Sequence, residues 1–273
     1  MTTTAASLWA TYELSFTGPA TGNPFLDVAL TATFRQGERE VRVNGFYDGD
    51  GVYKLRFLPD TTGAWSYETR SNAPDLDHLT GTFEVGPALP NHHGPVRVAN
   101  RHHFRYADGT RYTNIGTTAY VWNLQGDALE EETLASLAKA PFTKIRMCVF
   151  PKHYRYNENE PERYPFKLVT TGRSKWDGSF AGADKYGWKF DFSQFEPDYF
   201  RHLEQRINQL AAIGVEADLI VFHPYDRWGF SRMSPAEDDR YLRYLTARLA
   251  AFPNVWWSMA NEYDLMPQKT PGD

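Results

Sequence analysis

Residues 255–264 read "VWWSMANEYD", an apolar run that ends abruptly in Asn261 and Glu262. Its first six residues are apolar or small, which predicts a buried strand. An amide and a carboxylate at the end of such a strand cost desolvation energy unless they face a cleft or meet partners. What precedes the strand decides how they are used.

Working back, helices and strands alternate. "SPAEDDRYLRYLTARLAAF" (234–252) opens with Ser234 as N-cap, Pro235 in the first turn and Glu237 at the capping-box position. "VEADLIVF" (215–222) reads as a strand. "EPDYFRHLEQRINQLAAIG" (196–214) is helical, with Phe200, Leu203, Ile207, Leu210 and Ile213 on one face. "TKIRMCVF" (143–150) is a further strand. "DALEEETLASLAKA" (127–140) is a helix with acids at its start and Lys139 near its end, as the helix dipole favours. "YTNIGTTA" (112–119) is the first strand of the series. This β-α-β-α-β-α-β order implies right-handed crossovers and a parallel sheet. Four strands with three helices are half of a (β/α)8 barrel, which as a whole takes about 250 residues. A small doubly wound sheet is the other architecture, but no Gly-rich phosphate turn follows any strand.

Residues 1–87 have a different grammar. "LWATYELSF", "FLDVALTATF", "REVRVNGFYDGDGVYKLRFLP", "GAWSYETRS" and "GTFEVG" are short runs of alternating polarity. Asp48-Gly49-Asp50-Gly51 marks a turn between two of them. They predict an Ig-like, two-sheet β-sandwich. "GPALPNHHGP" (86–95) is a linker, and a hairpin forms around Asp108-Gly109. The expected organisation is therefore a sandwich over 1–87, a linker and hairpin over 88–112, and the amino-terminal half of a TIM barrel over 113–273.

Composition narrows the function classes. A net charge of -5 with both signs mixed argues against nucleic acid and gives no sign of a membrane surface. The single cysteine, Cys148, forbids an intramolecular disulfide and reads as a core residue. The first residues lack a basic start and an apolar block, so the expected location is cytoplasmic. His92-His93 and His102-His103 carry no acidic or Cys partner at ligand spacing, so no metal or other cofactor is expected.

In parallel α/β architectures, chemistry collects at the carboxyl ends of the strands. The four ends supply Tyr120, Trp122 and Asn123; Pro151, Lys152, His153 and Tyr154; His223, Tyr225 and Asp226; and Asn261, Glu262, Tyr263 and Asp264. Hydrogen-bonding groups beside aromatic rings suit a carbohydrate. Trp122, Asn123, Arg146, His223, Tyr225, Asn261 and Tyr263 are the substrate-binding candidates. Arg146, inside a buried strand, needs a carboxylate partner, with Glu262 or Glu216 as candidates. The insertion 151–192 carries Trp176, Tyr186 and Trp188, either its own small core or a platform for sugar rings.

The stretch "WWSMANEYD" resembles the fourth-strand signature of clan A glycoside hydrolases, in which Asn-Glu closes that strand. The resemblance implies that Glu262 is the catalytic general acid/base and that Asn261 hydrogen-bonds the sugar 2-hydroxyl. Arg146 and His223 match positions from which such enzymes orient their carboxylates. The segments of residues 1–87 resemble the β-sandwich that precedes the barrel in bacterial glycoside hydrolases related to the apiosidase-like barrels. The resemblance covers nearly the whole chain and implies retaining hydrolysis of O-glycosidic bonds in an oligo- or polysaccharide. Such hydrolysis uses two carboxyl groups, an acid/base and a nucleophile.

In that clan the nucleophile is a Glu ending the seventh strand, and no carboxylate here matches it. Asp226 and Asp264 stand near the right end without matching the position. The expectation is a truncated enzyme, inactive alone and self-associating through open barrel edges. The alternative is a non-catalytic carbohydrate-binding protein. It leaves Asn261, Glu262, Arg146 and His223 without a joint purpose.

Overall fold

The computed structural model describes residues 4–173, 186–266 and 269–270. The chain divides into two compact units, Met1–Tyr112 with Arg240–Pro253, and Thr113–Asp239 with Asn254–Asp273.

In the first unit one core draws on two sheets. The larger runs in the order β1 (Thr4–Ser7), β8 (Thr80–Gly86), β7 (Gly63–Ser71), β3 (Leu30–Gln36) and β4 (Arg39–Asn44). The smaller is β2 (Tyr12–Thr17), β6 (Val52–Phe57) and β5 (Phe46–Tyr47). Along β3, Leu30, Ala32 and Phe34 are buried and the residues between them less so. That period of two puts one face of the strand into the core. Tyr53, Leu55 and Phe57 of the smaller sheet meet Phe34, Trp65 and Phe83 of the larger. Phe34 stacks on Phe57 with centroids 4.3 Å apart, and Tyr12 on Phe83 at 3.9 Å. Each ring withdrawn from water contributes about 1.5–3 kcal/mol. The Asp48–Gly51 turn forms as expected, with Gly49, Asp50 and Gly51 all at positive φ. β9 (Val96–Ala99), β10 (His103–Tyr106) and β11 (Arg111–Tyr112) make a small antiparallel sheet, turning at Gly109. Also in this unit, Arg248 sets Nη1 2.8 Å from Asp48 Oδ1, and Tyr244 donates its hydroxyl to the Tyr47 carbonyl at 3.0 Å.

The second unit is built on four parallel strands in the order β12 (Gly116–Thr118), β13 (Lys144–Cys148), β16 (Glu216–Phe222) and β17 (Val255–Ala260). In chain order the helices Asp127–Leu137 and Pro197–Ala212 follow the first two strands, and Pro235–Leu249, most of which belongs to the first unit, follows the third. The described residues form no closed barrel. Phe200, Leu203, Ile207 and Leu210 are buried, as their spacing demands. Glu237 closes the helix start at Ser234, its Oε2 accepting from Ser234 N at 2.7 Å and Oγ at 2.8 Å.

Between β13 and β16 lies a hairpin, β14 (Phe166–Thr170) and β15 (Lys189–Phe195). The sequence reading did not foresee it, because four of the five β14 residues are exposed and leave no alternating apolar signal. Tyr186 and Trp188 are buried there, and Trp188 packs on Tyr164 and Phe190. They form the insertion's own core. Trp176 lies outside the described residues. No helix among the described residues is long and apolar enough to cross a membrane.

Candidate active site

The ladder of β17 reaches one residue past its end, where Asn261 N donates to the Phe222 carbonyl at 3.0 Å. Glu262 then takes the left-handed conformation, with φ 50° and ψ 50°. For a residue with a Cβ this costs on the order of 1 kcal/mol, and such strain gathers at functional sites. The turn brings the exposed Glu262 carboxylate to Tyr225, which lies three residues past the end of β16. The Tyr225 hydroxyl donates to Glu262 Oε2 and accepts from Asn261 Nδ2 at 2.7 Å. Glu262 Oε1 has no protein partner among the described residues.

Arg146 extends this network into the sheet. Its Nη2 lies 2.9 Å from Ser258 Oγ and 3.5 Å from Asn261 Oδ1, and its Nη1 3.7 Å from Asp218 Oδ2. The carboxylate partner is thus Asp218, neither Glu262 nor Glu216. Register explains the correction. Arg146 and Asp218 are direct Cα partners on parallel strands and share a sheet face, while Glu216 stands opposite Lys144, one step toward the amino end. Glu216 accepts from Trp256 Nε1 at 3.0 Å. Burial pushes its carboxyl up to about 7, against that bond and the nearby Lys144 charge.

Lys152 is the second feature of the site. Its Nζ lies 3.8 Å from the ring centroid of Tyr120, 3.9 Å from Tyr225 and 4.6 Å from Tyr154. The residue is 7% exposed, and no described carboxylate pairs with it. Burial pushes its amine below the ordinary lysine value, while the Cys148 and Glu262 charges pull it back up. The three ring faces also favour the ammonium, each desolvated contact by about 2 kcal/mol. The sequence named Lys152 only among the residues that follow a strand. Tyr120, Tyr154 and Tyr225 each follow a different strand, which gave no hint that the rings converge on one amine.

His223 is buried, its ring nearly parallel to Tyr225 with centroids 5.5 Å apart. Its Nε2 donates to the Phe150 carbonyl at 3.1 Å, which fixes the neutral tautomer, and burial lowers its pKa to about 4. It touches the site through Tyr225. Tyr263, 72% exposed, stands beside Glu262 at the start of the short Tyr263–Leu265 turn. Trp122 and Asn123 are buried. The Trp122 indole N–H points to Met147 Sδ at 3.0 Å. No described contact joins either residue to Glu262. Asp226 holds its own loop, accepting from the amides of Trp228, Gly229 and Ser231.

Residues 98–270 match the apiosidase-like catalytic domain. The chain belongs to that family. Residues 5–72 match a domain of unknown function, DUF5060. Among solved structures, the chain is similar to a candidate glycoside hydrolase from Bacteroides vulgatus ATCC 8482, at 47% identity and a TM-score of 0.90, covering 97% of this chain and 51% of that one. It thus spans about half the length of that relative. A family 39 glycoside hydrolase from Bacteroides cellulosilyticus WH2 covers 94% of this chain and 42% of its own, at 11% identity and a TM-score of 0.27. A Bacteroides ovatus GH5 xyloglucanase in complex with a XXXG heptasaccharide covers 94% and 54%, at 9% identity and 0.28. Neither of these two likenesses is close enough to bear on the fold or the site. No curated protein matches the chain.

Elsewhere in this apiosidase-like chain, Asp127, Glu130 and His202 come together at distances a metal ion could bridge. Arg206 already occupies their centre, with Nε 2.5 Å from Glu130 and Nη2 2.8 Å from Asp127. A guanidinium there supplies the charge a cation would, so the cluster reads as an ion network, buried at Glu130 and Arg206 and open to solvent at Asp127.

Proposed function

We propose that the strand-end cluster is the acid/base half of a retaining glycoside hydrolase of the clan A type, acting on an oligo- or polysaccharide. The observation that carries this reading is Glu262 itself. It closes the fourth parallel strand in a left-handed turn, with one oxygen held by Tyr225 and the other open. Oε1 is the atom that would give its proton to the leaving oxygen of the glycosidic bond. In the second step the same oxygen would take a proton from water.

The remaining roles follow from the contacts. Arg146, anchored by Asp218 and Ser258, sets the Asn261 amide, and Asn261 in turn sets Tyr225. Asn261 keeps one amide proton for a sugar hydroxyl. His223 backs the Tyr225 ring, and Tyr263 offers an exposed face for a sugar to pack on. We assign Trp122 and Asn123 to the packing beneath.

A retaining pair needs a second carboxyl about 5–5.5 Å from the first. Asp226 is spent on its loop and Asp218 on Lys144 and Arg146. Asp264 stands near this strand end but does not match the position that the clan resemblance implies, a Glu ending a seventh strand, and on that resemblance we place the nucleophile outside the described residues.

The test is a panel of aryl glycosides, offered to the 273-residue chain and to the whole reading frame that encodes it, each with and without Glu262→Gln. Hydrolysis by the whole frame that collapses with Glu262→Gln is the expected result. Hydrolysis indifferent to that substitution would overturn the assignment.

A further inference from the structure

We propose that Lys152 is a positioning residue of this site. Held among the rings of Tyr120, Tyr154 and Tyr225, its ammonium fixes the Tyr225 ring whose hydroxyl engages Glu262 and supplies a fixed positive charge to the carboxylate that Glu262 becomes when it gives up its proton. The inference rests on the acid/base reading of Glu262.

Three observations converge on it. First, the Lys152 residue is only 7% exposed, yet its ammonium has neither an ion pair nor a hydrogen-bond acceptor among the described residues. Buried cations are ordinarily paired, as Arg206 is with Glu130. An unpaired one is costly unless something else uses the charge. Second, the rings around it are part of the site. Tyr225 carries the cation on its face and Glu262 on its hydroxyl. A cation over a phenol ring draws electron density from the oxygen and makes the O–H a stronger donor. Lys152 thus reaches Glu262 through Tyr225 as well as through space. Third, the backbone locks the arrangement. The Lys152 carbonyl accepts from Asn157 Nδ2 at 2.8 Å, Asn157 Oδ1 accepts from Gln125 Nε2 at 3.1 Å, and the next residue, His153, donates its amide to the Tyr225 carbonyl at 3.0 Å.

The chemistry needs such a charge at one particular moment. As Glu262 protonates the leaving oxygen, negative charge develops on its carboxylate. A preorganised cation nearby stabilises that charge without reorganising. The groups that bear on Lys152 are Glu262 and Cys148, the three tyrosines, and neutral His223, whose own titration the Lys152 charge affects. Coupling of this kind is reciprocal. If Lys152 supports the Glu262 carboxylate, that carboxylate supports the Lys152 ammonium to the same extent.

Reciprocity gives a test that needs no catalysis. The chain is labelled with 13C at lysine Cε, and the Lys152 signal is assigned by its loss in Lys152→Arg. In the wild type the signal should lie upfield of the other lysines, shifted by the tyrosine ring currents. Its titration midpoint should fall by at least half a pH unit in Glu262→Gln. A signal at the ordinary lysine position, or a midpoint indifferent to Glu262→Gln, overturns the proposal.

The second arm uses the hydrolytic form. There Lys152→Met should lower kcat tenfold or more with KM little changed, and Lys152→Arg should recover part of the loss. Wild-type kcat in Lys152→Met would equally overturn it. If no form hydrolyses any glycoside, the acid/base reading fails alone, and the NMR coupling still decides whether Lys152 and Glu262 act on each other.

Discussion

The two ends of the four-stranded parallel sheet carry nearly the same kinds of side chain and use them in opposite ways. At the amino end, Lys144, Glu216, Asp218 and Trp256 satisfy one another. Lys144 Nζ lies 3.3 Å from Asp218 and 4.5 Å from the Trp256 ring, and Trp256 donates to Glu216. Glu216 and Asp218 are buried. At the carboxyl end, Glu262 is exposed with one oxygen open, and Lys152 sits among tyrosines with no carboxylate on it among the described residues. The amino end is closed on itself, and the carboxyl end keeps polar groups without described partners. In barrel architectures the amino face serves stability and the carboxyl face chemistry. Here the contrast rests on which polar groups already have partners.

The largest expected effect tests that contrast at the open end. Glu262→Gln should cut hydrolysis by the active form about 10³-fold, on the order of 4 kcal/mol of barrier. It should leave the melting temperature of the chain almost unchanged, since an exposed side chain with one hydrogen bond carries little stability. Paired kinetic and thermal measurements decide. A variant that loses stability in step with activity would make the carboxyl end as structural as the amino end.

The second prediction concerns the closed end. Burial raises the Glu216 carboxyl from its ordinary 4.5 to about 7, so between those values the folded chain holds a proton that the unfolded chain has lost. Stability from this group therefore falls as pH rises from 4.5 to 7, and the full penalty persists above 7. Glu216→Gln keeps an acceptor for Trp256 and removes the titration. It should stabilise the chain by roughly 3 kcal/mol above pH 7 and by nothing near pH 4. Urea unfolding at the two pH values measures the difference. A gain that did not depend on pH would mean that folding does not raise the Glu216 carboxyl.

The sequence carried the fold through its periodicities. Helical spacing and capping placed the helices Pro197–Ala212 and Pro235–Leu249, and apolar runs placed β13, β16 and β17. The β14–β15 hairpin was illegible because its first strand is mostly exposed. For the candidate site, strand-end position brought Asn261, Glu262 and Tyr225 onto the page together. The partner of Arg146 was misjudged because it depends on strand register, which a single sequence does not encode. The tyrosine cage was missed for a related reason. Tyr120, Lys152 with Tyr154, and Tyr225 follow three different strands, and only the parallel sheet draws those segments onto one point.

A smaller effect separates Asn261 from Glu262. Asn261→Ala removes the 2.7 Å bond to the Tyr225 hydroxyl and the amide facing Arg146. The loss in kcat should be about tenfold to a hundredfold, the range of one or two misplaced hydrogen bonds. A loss as large as that of Glu262→Gln would mean that Asn261 shares the proton transfer rather than setting Tyr225.

The smallest effect lies where the two ends meet. Ser258 stands on β17 between Trp256 and Asn261, and its hydroxyl is 2.9 Å from Arg146 Nη2. Arg146 also reaches Asp218, the amino-end carboxylate, and Asn261, the carboxyl-end amide. If the ends are independent, Ser258→Ala costs only its own hydrogen bond. Arg146 is partly exposed, with a third of its side chain open to solvent, so water can replace the lost partner. Stability should then fall by about 1 kcal/mol and kcat by less than threefold. If Arg146 instead couples the ends, freeing it from Ser258 lets it settle on Asp218 and withdraw from Asn261. The kinetic loss would then approach that of Asn261→Ala while stability held. A double-mutant cycle of Ser258→Ala with Asn261→Ala reads the difference, because independent ends give additive losses and a coupled arginine does not.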